Sequence, residues 1–284
     1  MFAIIGILIV LGSVIGGFLM EKGNLHVLFQ PAEVVIIFGA AIGSFFIASP
    51  PKVVSLVAKN LPLIISSAGQ SKERYLELLS LLYQLFSKIR KEGLISIESD
   101  IENPEKSPIF KKYNSVTSNH HAINFICDNL KVIITTNVPP HELDSLMELE
   151  IETHHHEAVT PSHSIAKVAD ALPGLGIVAA VLGVVLTMQY VDSPPAVLGH
   201  KIGAALVGTF MGVLMCYGFV GPMATNLEHK AKEESVYYQV IKVALVAFVG
   251  GAAPQMAVEF GRRAIPAKEK PTFDELEKEL RKTK

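Results

Sequence analysis

Two neighbouring stretches, Leu172–Thr187 and Ile202–Pro222, contain no charged side chain. An α-helix needs about 20 apolar residues to cross the hydrocarbon core of a bilayer. No water is available there to satisfy an open backbone, which leaves the helix as the form such segments take. The two stretches therefore read as a pair of membrane-spanning helices joined by a short turn. Met1–Met20 and Val34–Ser49 are equally free of charge. The first has neither the basic start nor the small-residue cleavage site of a secretory signal, so it is expected to remain as a span. The second is stopped by Pro50-Pro51.

Small residues recur at four-residue spacing in these runs: Gly176 with Ala180, Ala179 with Gly183, Gly208 with Gly212. In lipid, apolar contact alone gives helices no preference for one another, and such notches let backbones approach closely enough to gain dispersion contacts. A proline marks the same end of each helix of the pair, Pro173 and Pro222. Each removes a backbone donor and can kink or hinge its helix.

Between the two pairs, from Lys52 to Asp170, charge returns and no run is long enough to span. The expected fold class is thus an all-α membrane protein with four transmembrane helices. Residues 1–50 would hold helices one and two, 51–170 a large helical cytoplasmic domain, 171–222 helices three and four, and 223–284 a helical cytoplasmic extension and tail. Tyr75, Leu78, Leu79, Leu82, Leu85, Phe86 and Ile89 recur at three and four residues, an amphipathic helix. Ala122–Ile134 and Glu142–Glu157 read as two further helices separated by Pro139-Pro140. Thr272-Phe-Asp-Glu275 has capping-box spacing and opens a short charged helix, expected to be a solvated surface element.

Lysine and arginine set the orientation. Of the residues near the spans, Lys52, Lys59, Lys167, Lys230 and Lys232 lie on one side, and only Lys22 and Lys201 on the other. The positive-inside rule places the large domain, the tail and the N-terminus in the cytoplasm. Pro173 and Pro222 then lie at the cytoplasmic mouth of their helices. A net charge of −2 gives no reason to expect nucleic acid as a partner. Cys127 and Cys216 fall in the polar domain and a span respectively, which argues against a disulfide between them.

A charge within a membrane usually marks an ion path, and the helix pair has none. Its polar groups, Thr187, Gln189, Thr209 and Tyr217, form hydrogen bonds but do not titrate near neutral pH. Ions passing along this pair would need a carboxylate from another chain. His154-His155-His156 lacks the i, i+4 spacing of paired helical ligands and reads as a solvated helix face rather than a metal site. No phosphate loop, CxxC pair or nucleophile elbow is present, so the sequence offers no enzyme and implies no cofactor. Arg90, Glu98, Glu148, Glu150 and Glu152 make a mixed-sign set suited to a charged partner, a pattern that ordinary solvated faces share.

Several segments carry a resemblance: Pro173-Gly-Leu-Gly-Ile-Val-Ala-Ala-Val-Leu-Gly183, Val207-Gly-Thr-Phe-Met-Gly212, Ile97–Pro104, Glu150-Ile-Glu-Thr153 and Ala257–Arg262. With two spans ahead of the polar domain, the chain resembles the MotA family of flagellar motor stator proteins. The related ExbB and TolQ energisers of other envelope processes have one span there. The resemblance implies an inner-membrane protein forming a pentamer around a MotB dimer, whose aspartate carries the ion past the third and fourth spans. It implies that Pro173 and Pro222 couple ion passage to movement, and that Arg90, Glu98 and Glu150 engage the rotor protein FliG. It also places Ala180 and Thr209 along the ion path, where Thr187 and Tyr217 are expected as further polar groups of the pair. Sodium-driven relatives are similar in having threonine where this chain has Ala180, and one hydroxyl fewer favours protons, with sodium as the alternative.

Overall fold

The computed structural model describes residues 2–65 and 69–282 and contains no strand among them. Its α-helices are α1 (Phe2–Met20), α2 (Leu25–Leu28), α3 (Pro31–Ala48), α4 (Pro51–Asn60), α5 (Lys72–Glu92), α6 (Glu98–Glu102) and α7 (Asn114–Thr117). They are followed by α8 (His120–Thr136), α9 (Pro140–Thr187), α10 (Pro195–Leu214), α11 (Gly221–Val249), α12 (Pro254–Ala264) and α13 (Phe273–Lys282). Two compact units result: residues 1–68 with 158–230, and residues 69–157 with 231–284. Helices α9 and α11 each contribute residues to both.

The first unit is the membrane part. Four helical segments among the described residues are long and apolar enough to cross a bilayer: Phe2–Met20, Leu25–Ala48, and stretches of the long helices within Pro140–Tyr190 and Pro195–Val249. Large apolar side chains such as Ile47, Val185 and Leu206 face outward. In water that surface would drive aggregation, whereas in lipid it is the expected solvent-facing side. Inside, Ile37 and Ala41 of α3 pack with Ala169, Leu172 and Ala179 of α9 and Cys216 beyond α10.

The second unit is built on α5. Ser71 caps this helix by accepting from the Arg74 amide at 3.4 Å, and Gly93 ends it at φ +89°, a conformation that side-chain-bearing residues rarely adopt. All seven residues of the apolar stripe are buried, joined by Leu81. Against them pack Phe125, Ile126 and Leu130 of α8, Leu143 and Met147 of α9, Tyr237 and Ile241 of α11, Val258 of α12 and Leu276 of α13. Phe86 stacks on Phe248 with ring centroids 4.3 Å apart. Burial pushes the Cys127 thiol up to about 12, which keeps it protonated and unreactive. Both cysteines are free and buried.

Polar anchors hold the irregular segments of this unit. Asp100 is buried, its Oδ2 2.8 Å from Lys88 Nζ, while its Oδ1 accepts from the Ser107 hydroxyl at 2.6 Å. That pair ties the turn after α6 to α5. The Thr272–Glu275 capping box forms as its spacing requires: the Glu275 amide donates to Thr272 Oγ1 at 3.2 Å and the Thr272 amide donates to Glu275 Oε2 at 2.7 Å. Arg262 donates to both oxygens of Glu259 and to the Pro271 carbonyl. The Arg262 hydrogen bond holds the Glu259 carboxyl below its ordinary value despite partial burial.

Three expectations are corrected. Glu142–Glu157 and the third span are one 48-residue helix that runs through Pro161 and Pro173. A proline frees only one carbonyl, and the apolar surroundings of the following turns favour keeping the remaining helical hydrogen bonds. The tail helix α13 is not merely solvated, since Leu276 and Leu280 are buried in the core. The histidine triplet is not an open face either. His154 packs edge-on to Tyr238 and His121 at 4.9 and 5.6 Å, and His155 Nδ1 lies 2.7 Å from Ser235 Oγ.

Two outcomes follow for the purified full-length chain in detergent. Leu82→Ala, which empties a fully buried position, should lower unfolding stability by about 2–5 kcal/mol in denaturant titration. Because the Glu259 carboxyl is depressed in the folded state, its contribution is present above about pH 4.5 and is lost as pH falls through the folded value. Glu259→Gln should therefore flatten the acid limb of the unfolding-midpoint profile and leave a smaller difference between pH 7 and pH 4.

Candidate functional site

Helices α9 and α10 meet backbone to backbone. A β-carbon at Gly176 would lie 2.7 Å from the Gly208 carbonyl oxygen and 3.3 Å from Thr209 Cα. One at Gly212 would lie 2.5 Å from the Leu172 carbonyl oxygen, and one at Gly183 would lie 2.7 Å from Ala205 Cβ. The small residues spaced by four thus interlock along the length of the antiparallel pair. Only hydrogen fits at these levels, so dispersion between backbones replaces the contacts that side chains would make.

Ala180 is buried in this seam, 8% exposed, and Thr209 stands half-buried one residue after Gly208. Thr187 is buried with its hydroxyl donating to the Gly183 carbonyl of its own helix at 2.7 Å. Tyr217 is 73% exposed. It lies in the π-helical segment Met215–Val220 that joins α10 to α11. The sequence reading did not anticipate that segment, although Pro222 accounts for it. Proline cannot donate to the carbonyl four residues back, Gly218, and widening the preceding turn relieves the clash. Beside it is a cleft of about 680 Å³ lined by Ser162, Asp170, Cys216, Tyr217, Pro222 and Asn226 among others. Pro173 sits inside α9, half-buried.

One acidic residue from outside the helix pair reaches this seam, Glu33. It occupies the first turn of α3, 8% exposed, with its carboxylate turned into the protein. A β-carbon on Gly208 would overlap its Oε2, and one on Gly183 would lie 3.5 Å from its Oε1. The only sequence signal was one acidic residue three positions after Gln30, ahead of an apolar run.

In the second unit, Arg90 closes α5 and Glu98 opens α6, so the two flank the connection 93–97, and both are exposed. Glu150 lies in the first quarter of α9, exposed, and accepts from Asn129 Nδ2 at 3.2 Å. Glu148 is instead committed to Lys242, 2.6 Å away, and to Gln239. Among the described residues no group of three or more His, Cys, Asp and Glu could hold a metal.

Residues 4–93 match the family described as Motility protein A N-terminal, and residues 112–240 match the MotA/TolQ/ExbB proton channel family. The chain is 46% identical over 284 residues to Motility protein A of Escherichia coli strain K12, covering 100% of this chain and 96% of that protein. The chain belongs to the motility protein A family. Its fold is that of two solved structures, titled as C. jejuni MotAB and as the flagellar MotAB stator complex from Bacillus subtilis. The TM-scores are 0.79 and 0.76 at 18% and 22% identity, each covering 95% of this chain and 98% of the other. The chain is a multi-pass membrane protein with a channel role rather than a catalytic one.

The interlocked seam sets a test. Gly176→Leu or Gly212→Leu should separate α9 from α10 and abolish recovery of a detergent-stable oligomer. Leu206→Ala, on the outward face, should leave the oligomer's elution unchanged.

Proposed function

We propose that copies of this chain, five to a complex, surround a dimer of a MotB-type partner in the bacterial inner membrane, and that ions crossing between them turn the flagellar rotor. The observation that carries this reading is the glycine-interlocked α9–α10 pair, free of charge over Leu172–Thr187 and Ile202–Pro222, in a member of this family. Those stretches offer a path but no group that titrates near neutral pH. The partner's aspartate supplies the charge. When that aspartate is protonated, the interface loses a charge and the ring steps around the dimer. Each proton that crosses contributes about 2.3 kcal/mol per 100 mV of membrane potential.

Protons are the proposed ion. Ala180 lacks the hydroxyl that would join Thr209 in coordinating a dehydrated sodium ion, a hard cation that prefers oxygen ligands. Pro173 and Pro222 are the proposed coupling points, a role supported by the π-helical segment that precedes Pro222. The exposed Arg90, Glu98 and Glu150 are the proposed rotor contacts, with FliG as the partner. Cytoplasmic N- and C-termini are part of the proposal, supported by the lysine and arginine distribution.

Reconstitution tests the central claim. Proteoliposomes holding this chain with its MotB-type partner should take up protons under an imposed potential, and those holding this chain alone should not. Proton uptake by the chain alone at the rate of the complex would overturn it. Pro173→Glu and Arg90→Glu should each abolish swimming while membrane insertion persists, and normal swimming by both would remove the roles assigned to them.

A further inference from the structure

Glu33 is an acid buried in the membrane unit with one oxygen left over. Its side chain is 8% exposed, and Oε2 is inaccessible and has no hydrogen-bond partner. At the third position of α3 it could have capped the helix start, yet the cap residue Gln30 makes no side-chain cap bond and the carboxylate points elsewhere. It is directed into the notch between Gly183 of α9 and Gly208 of α10. Those glycines lie within about one turn of Ala180 and Thr209, on the side of the short loops.

The surrounding groups do not neutralise it. Helix α3 carries no other charged residue, and neither do α1 or the apolar part of α9 from residue 171 to 187. Exposed His26 stands on α2 and exposed His200 and Lys201 on α10. The Lys201 ammonium lies over the Tyr190 ring, 4.7 Å from its centroid. Tyr190 and Asp192 follow α9, and Glu21 and Lys22 follow α1. None of them reaches Oε2. A carboxylate left unpaired at membrane depth costs several kcal/mol, whereas the protonated acid removes that cost. A glutamine would fill the same space without a titratable proton.

We propose that Glu33 is a proton-exchanging site of the ion path that this chain itself supplies, lying between the loop side of the membrane and the partner's carboxylate. Oε2 takes up a proton from loop-side water to give the neutral acid, then releases it to the partner's carboxylate. One O–H bond forms and the same bond breaks, and no electrons change hands. The notch selects for a proton: a β-carbon at Gly208 would already overlap Oε2, so there is no room for the several oxygen ligands a sodium ion needs.

This inference rests on the channel reading above, and the experiment separates the two. The complex with its MotB-type partner is reconstituted with wild-type chain, Glu33→Gln or Glu33→Asp, and proton influx is followed across a pH series. Wild type should conduct. Glu33→Gln should lower influx by about a hundredfold, the low end of what a positioned proton-transfer group contributes, and should remove one titration from the pH profile. Glu33→Asp should recover part of the flux. Infrared difference spectra of the wild-type complex should contain a carboxylic-acid carbonyl band that is absent from Glu33→Gln and displaced in Glu33→Asp. Wild-type flux and an unchanged profile in Glu33→Gln would overturn the assignment. If that variant does not assemble, the aspartate complex decides: an unchanged band and profile overturns the assignment, and a displaced band with an altered profile supports it. A wild-type complex that conducts no protons would remove the channel reading, and this inference with it.

Discussion

Close approach of two backbones, α9 and α10, is the contact on which the membrane unit depends. Lipid is as apolar as leucine, so the exposed valines and leucines of these helices gain nothing by meeting each other. What holds the pair is the removal of side chains at Gly176, Gly183, Gly208 and Gly212, where any β-carbon would strike the opposite helix. The same deletions create the notch that Glu33 occupies. Packing and chemistry therefore share residues: the glycines that bring the helices together also shape the recess into which the Glu33 carboxylate turns.

Around that seam the backbone is disturbed in a chosen place. Pro173 is absorbed within a continuous α9, while Pro222 is preceded by a π-helical turn that contains Gly218 and is followed by Gly221. Glycine has no side chain to crowd a widened turn, and proline cannot complete the ladder on its far side. The result is a local weakness bordering the cleft that contains Asp170, Tyr217 and Asn226, within a segment otherwise held by helical hydrogen bonds.

The second unit follows the rules of a water-soluble core. Its stability comes from the leucine stripe of α5 and the aromatic pairs Phe86–Phe248 and Phe125–Tyr238, with ion pairs serving mainly to fix connections. Asp100 illustrates this. Its pairing with Lys88 and Ser107 organises the segment after α6, so folding accounts for Asp100 within one of the stretches that carries family resemblance. The exposed Arg90 and Glu98 on either side of the same connection have no such structural duty visible in the packing, which leaves them suited to contact with another protein.

Periodicity and charge were enough to read the spans, the apolar face of α5, the capping box at Thr272 and the small-residue seam from the order of residues, because each depends on neighbours within a few positions. Ala180 and Thr209 could be placed near that seam for the same reason. The continuity of α9 through its prolines, the packing of α13, the ring contacts of His154 and the destination of Glu33 could not be read, because each is settled by residues far away in the chain. A glutamate at a helix start looks the same in sequence whether its carboxylate faces water or two glycines some 150 and 175 positions later. Local spacing determines which segments become helices and which faces are apolar. Only the tertiary arrangement decides which polar groups are stripped of water, and that loss of solvent gives a carboxylate in the membrane its chemistry.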